Sequence, residues 1–155
     1  MASTIEDMFD PAGKQRMVAR IHALAPDSEP LWGKMSVAQM LAHCNVAYET
    51  VHEPGRHARP GVVARAFLRV FAKGTVVGDK PYPRSAPTAP YFVIEDPRDF
   101  EKEKARLLAY IDRTFEQGAA HYDGLPNMSF GVLSSEQWNT LFSKHLDHHL
   151  RQFGV

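Results

Sequence analysis

Eight histidines occur in 155 residues, and the chemical question is which of them can share a ligand. The C-terminal stretch SEQWNTLFSKHLDHHLRQFGV holds His145, His148 and His149. Stepped at about 100° per residue, the helical period, Trp138, Leu141, Phe142, His145 and His149 fall on one stripe, while Lys144, Asp147 and Arg151 fall opposite it. A helix divided in this way turns its apolar side to a core. The i, i+4 separation stacks the His145 and His149 rings about 6 Å apart along the axis, the spacing by which one helix offers two ring nitrogens to one metal ion. A lone histidine on an apolar face reads more simply as a core residue with one hydrogen-bond partner. Two are harder to satisfy, because a buried polar nitrogen left unpaired costs about 1–3 kcal/mol, and a shared cation satisfies one nitrogen of each ring. His148, at the edge of the stripe, fits only through i, i+3 spacing and is expected to face away and be dispensable. Gln152 is placed on the same face to support the pair from behind.

A third ligand has to come from another helix. Ser36 and Gln39 form a Ser-x-x-Gln capping box, which starts a helix whose apolar stripe runs Val37, Met40, Leu41, Cys44, Ala47, Tyr48 and Val51. His43 lies roughly 40° outside that stripe, a flank position that borders a cleft, and it is the natural third ligand. Cys44 points into the stripe, where a buried neutral thiol is the commoner outcome. Helices packed at about 8–10 Å between axes can bring His43, His145 and His149 onto one ion. The other histidines carry less geometry: His22 neighbours the stripe of a first helix, His52 and His57 sit at the turn HEPGRHAR, and His121 sits on a loop.

Composition narrows the function. Eighteen Lys plus Arg balance eighteen Asp plus Glu, so no basic field draws the chain to nucleic acid. The start, MASTIEDMFDP, lacks a basic region followed by an apolar run, no stretch approaches the ~20 apolar residues of a membrane span, and one cysteine, Cys44, cannot form an internal disulfide. These features predict a cytoplasmic protein with neither nucleic acid nor membrane as a partner.

Caps and periodicity predict an all-α chain, a single domain over 1–155, with four main helices at about 10–25, 36–51, 97–117 and 135–153. In the first, Asp10 caps and Pro11 opens the turn, with Trp32 in the following connector expected to dock back on the bundle. Asp96, Pro97 and Asp99 read as the start of the third, with Glu101 to Lys104 as a solvated face. A short extra helix at 61–73, stopped by Gly74, has apolar residues at 62, 63, 66, 67, 70 and 71 against Arg65, Arg69 and Lys73; packing on the bundle is favoured over an interfacial membrane helix. The proline-rich stretch that follows makes a long crossover of the kind that forms lids, in which Tyr82, Tyr91 and Phe92 either cover a site or pin the loop. No strand pairing is expected over 97–153.

Four amphipathic helices with one long crossover, His43 in the second and His145 with His149 in the last, resemble the DinB-like superfamily of metal-binding four-helix bundles. The motifs WGKMSVAQMLAHC and HLDHHLRQFG are similar to a branch known only as a domain of unknown function. The resemblance implies a divalent ion, zinc or nickel, on His43, His145 and His149, with places left open for water or substrate. It also suggests a homodimer, for which apolar surface on the 61–73 segment that one chain would leave uncovered is a second ground, and a small-molecule substrate, including low-molecular-weight thiols, since some relatives are thiol-dependent transferases or isomerases and others metal-dependent hydrolases. No general base is evident; Glu49 and Tyr48 are the candidates at hand. A rival expectation is a non-catalytic bundle that binds a partner, its metal absent or structural.

Overall fold

A computed structural model describes residues 5–155. Local chemistry sets the helix ends. The Asp10 carboxylate accepts from the Ala12 and Gly13 amides to open α1, Pro11–Ala23, where Pro11 gives up an amide that would have no partner. Ser36 and Gln39 close both halves of the capping box of α2, Val37–His52. Short helices α3, Val62–Phe71, and α4, Lys73–Val77, follow. The third long helix, α5, is Phe100–Gln117 and ends where Gly118 takes φ +74°, a left-handed conformation that glycine adopts without a Cβ penalty. A brief α6, Ala119–Tyr122, leads to the last helix, α7, Ser135–Gln152. That helix carries a second capping box, from Ser134 and Gln137.

The all-α expectation holds: the described residues are mostly helical, and α1, α2, α5 and α7 lie close to the expected spans. Helix α2 lies along α5 and α7, and α1 packs against the same two. They share one core whose largest fully buried side chains include Trp138, Tyr48, Tyr122 and Phe142. The Tyr48 and Phe142 rings lie parallel with centroids 4.7 Å apart, and the Trp138 indole donates to the Leu125 carbonyl at 3.0 Å, so the polar edge of the largest core residue is satisfied. No helix among the described residues is long and apolar enough to cross a membrane.

Several expectations are corrected. Asp99, not Asp96, caps α5, accepting from the Lys102 amide at 2.9 Å; Asp96 instead pairs with Arg98. The chain between α6 and α7 is not free of strands: Pro126–Asn127 (β1) pairs antiparallel with Gly131–Val132 (β2). This pair is too short to be stable alone, and the Asn127 carboxamide holds its turn by accepting from the Ser129 and Phe130 amides. The extra helix does not stop at Gly74 but breaks at Ala72 and resumes as α4. Nor does α3 pack its apolar face: Arg65 and Leu68 are its half-buried residues and the rest are exposed.

Two charged residues assigned to solvent are buried. Glu103 is 3% exposed, accepting from Arg106 at 2.8 Å and Asn45 at 2.9 Å. Arg106 reaches on to Glu49, which also meets His57 at 2.7 Å and Arg56 at 3.3 Å. One guanidinium thus joins α2 and α5 through two buried carboxylates. Lys144 is 5% exposed. Its Nζ donates to the carbonyls of Thr75, Gly78 and Lys80 at 2.5, 2.5 and 3.0 Å, and it lies 4.5 Å from the Tyr82 ring centroid. Burial draws its pKa down to about 8, so it stays mostly protonated at neutral pH and clamps the crossover to α7. Carbonyls at the C-terminal end of α4 suit a cation, because the partial negative charge of a helix gathers there.

Two outcomes follow. Arg106→Met takes from Glu49 and Glu103 the cation they share, leaving Glu49 with Arg56 and His57 and Glu103 with Asn45, and denaturant titration should show a loss of about 1–3 kcal/mol. Lys144→Met removes a donor from three carbonyls; the loss should be about 1–3 kcal/mol, and limited proteolysis should cut faster within residues 79–89.

Candidate metal centre

Position in α7 puts His145 and His149 on the face turned to α2, and His43 meets them from α2. One ring nitrogen from each of the three lies within 4.8 Å of the others. The His43 and His145 Nε2 atoms are 3.0 Å apart, while the His43 ring centroid lies 4.5 Å from that of His149. Two nitrogens on one tetrahedral zinc at about 2.0–2.1 Å stand about 3.3 Å apart, so the three rings need only small rotations to meet one ion. The sequence placed His43 on a cleft flank. It is buried instead, at 6% exposure, because α2 is enclosed on nearly every side, with thirteen of its sixteen residues buried.

The far side of two rings is fixed. His43 Nδ1 donates to the Phe92 carbonyl at 2.7 Å, and His149 Nδ1 donates to Gln152 Oε1 at 2.8 Å. A proton held on Nδ1 leaves the Nε2 lone pair free and aims the ring. The His43 and His145 Nε2 atoms face each other across the gap that remains. Gln152 is held in turn, its Nε2 donating to the Trp32 carbonyl at 2.8 Å and its own carbonyl accepting from the Leu31 amide at 2.7 Å. Gly33 lets this amide come close: a Cβ there would stand 2.6 Å from Gln152 Nε2.

Electrostatics keep the imidazoles neutral. Burial lowers the pKa of His43, of His145 well below its ordinary value, and of His149 to about 3, with the neighbouring rings adding to the effect at His145 and His149. Neutral imidazole is the form that ligates a metal. The Phe92 ring covers the group, 5.2 Å from the His43 centroid and 5.5 Å from that of His145, and the Tyr91 ring lies tilted against those of Phe92 and His57. Phe92 therefore covers, whereas Tyr82, beside Lys144 and His148, anchors.

The remaining candidates lie elsewhere. His148 is outside the group, its ring edge-on to Trp32 and Tyr82 with centroids 5.8 and 5.6 Å away; Trp32 docks there as expected. His52 bonds Thr114 at 3.0 Å, and His22 and His121 are exposed. Cys44 is buried, and that burial pushes its thiol pKa up. Neither suggested base is free to act: Glu49 is held by Arg106, Arg56 and His57, and burial raises the pKa of the Tyr48 phenol, whose oxygen has no hydrogen-bond partner among the described residues. What sequence reasoning missed is that Phe92 and Trp32 also act through their backbone carbonyls, which side-chain identity does not reveal.

No curated protein and no solved structure gives a significant match to this chain. A family model does, over residues 9–154, a span that includes all three histidines and nearly the whole fold. The chain belongs to the family described as "Protein of unknown function (DUF1569)".

Proposed function

We propose that the chain is a four-helix bundle of the DinB-like kind in which His43, His145 and His149 hold one divalent metal ion, zinc or nickel. We further propose that the site performs hydrolysis, or thiol-dependent transfer or isomerisation, on a small molecule. The observation that carries this reading is the pair of anchors, Phe92 carbonyl on His43 and Gln152 on His149, which fix two rings from behind while one nitrogen of each of the three histidines lies within 4.8 Å of the others. A histidine serving only as packing needs one partner; here two rings each have that partner and still direct the second nitrogen to a common point.

The donor set fits the ion. Three neutral nitrogens with no carboxylate or thiolate in the group leave coordination places open, the mark of a site that takes up water or substrate. When bound, the ion would supply Lewis acidity, lowering the pKa of a water or thiol beside it. The chain's own residues do the positioning. Phe92 and Gln152 orient the rings, and the Phe92 ring keeps bulk water from the His43 and His145 face. Burial keeps the three imidazoles from taking up protons.

Metal analysis of purified variants tests this. His43→Ala, His145→Ala and His149→Ala should each lose most of the bound ion, and His148→Ala should retain it. Unchanged occupancy in all four would sink the reading, and loss in His148→Ala with retention in His149→Ala would overturn the helical phase. Gln152→Ala should weaken metal affinity about 10–100-fold by freeing the His149 ring. A titration that shows no weakening would remove Gln152 from the site. A large fall in Tm on chelation would assign the ion a structural role.

A further inference from the structure

Five of the eight large hydrophobic side chains exposed among the described residues lie on α3: Val62, Val63, Phe67, Val70 and Phe71, at 61–84% exposure. The helix is oriented against the usual rule. Its half-buried residues are Arg65 and Leu68, and its apolar arc points outward, with the Phe67 and Phe71 rings packed on each other at 4.7 Å. A contiguous outward apolar face is expected to be covered by something.

Charge shows what covers it. From Ala58 to Gly78 the chain carries Arg59, Arg65, Arg69 and Lys73 and no acidic residue, although the whole chain is neutral. None of these four cations makes a salt bridge among the described residues, whereas Arg16, Arg20, Arg56, Arg98 and Arg106 all do. A second copy docking through the same face would bring two such segments together and set like charges side by side. An anionic lipid surface meets both features, taking the valines and phenylalanines among its acyl chains and the guanidinium and ammonium groups at its headgroups.

We propose that α3 is a membrane-docking helix which lays its Val62, Val63, Phe67, Val70 and Phe71 face into an anionic phospholipid surface. The long crossover then has a second role besides supplying Phe92 to cover the histidines, carrying the docking element. Sequence periodicity favoured a packed helix here; the exposed face removes the ground for that preference.

Vesicle flotation of the full-length protein tests the proposal. Binding is expected to phosphatidylglycerol-rich vesicles and to be much weaker on pure phosphatidylcholine, falling as salt shortens the reach of the charges. Val63→Ser with Phe67→Ser should abolish flotation. Arg59→Gln with Lys73→Gln should remove the preference for the anionic vesicles. Circular dichroism should show both double variants folded, since Arg59, Val63 and Phe67 are exposed and Lys73 is half-buried. Absence of flotation on the anionic vesicles would overturn the proposal. So would a solution mass of two chains that returns to one in the Val63→Ser, Phe67→Ser variant, assigning the face to a second copy. Equal binding of that variant and the unaltered protein would also overturn it.

Discussion

A buried imidazole has two nitrogens to satisfy, and the centre of this protein is built around that requirement. The Phe92 carbonyl and the Gln152 side chain each take one proton, from His43 and His149. The lone pairs that remain converge with His145 between α2 and α7. Rings aimed from behind would not depend on an ion to find their orientation, so a cation would meet them already organised. Such preorganisation lowers the ordering cost of binding. It also explains why the supporting groups come from distant segments: Phe92 from the crossover, Gln152 from the end of α7, and Trp32 from the loop before α2.

The crossover must therefore be held in place for the centre to keep its shape. Lys144 does this near one end, accepted by three carbonyls around the end of α4. Near the other, the Gln39 side chain donates to the Glu95 and Asp96 carbonyls at 3.1 and 3.2 Å. Between them the Tyr91 hydroxyl meets Ser129 at 3.3 Å, tying the covering residues to the loop before α7. A long segment with little regular structure is thus ordered by polar contacts to the helices beneath it. Glu49, Arg106 and Glu103 do the corresponding work between α2 and α5. A buried ion network of this kind adds little stability over a well-packed apolar core, but it strongly penalises any register that leaves a charge unpaired.

The sequence reveals much of this in places and none of it in others. The capping box at Ser36 and the Asp10–Pro11 start are local signals, and the helices begin within a residue or two of them. Periodicity placed Trp138, Phe142 and the two histidines on one face because α7 is amphipathic along that stripe. The same reasoning failed for Lys144 and Glu103: helical phase says which side a residue occupies, not whether another segment covers that side. Lys144 pairs with carbonyls 64–69 residues away, and Glu103 with a side chain 58 residues away. The α3 face misled in the opposite direction. Its apolar pattern implied a core that the fold does not provide, since amphipathicity requires an apolar environment without saying which one. The hairpin between α6 and α7 is short enough that no period-2 pattern marks it.

X-ray absorption at the zinc and nickel edges of the purified protein addresses the central claim most directly, because it reads the ligands themselves. The account predicts a shell of three imidazole nitrogens, at about 2.0–2.1 Å if the ion is zinc, completed by light atoms from solvent. A shell dominated by sulfur or by carboxylate oxygen, or one that keeps its imidazole signature when His43, His145 and His149 are all replaced, would contradict it.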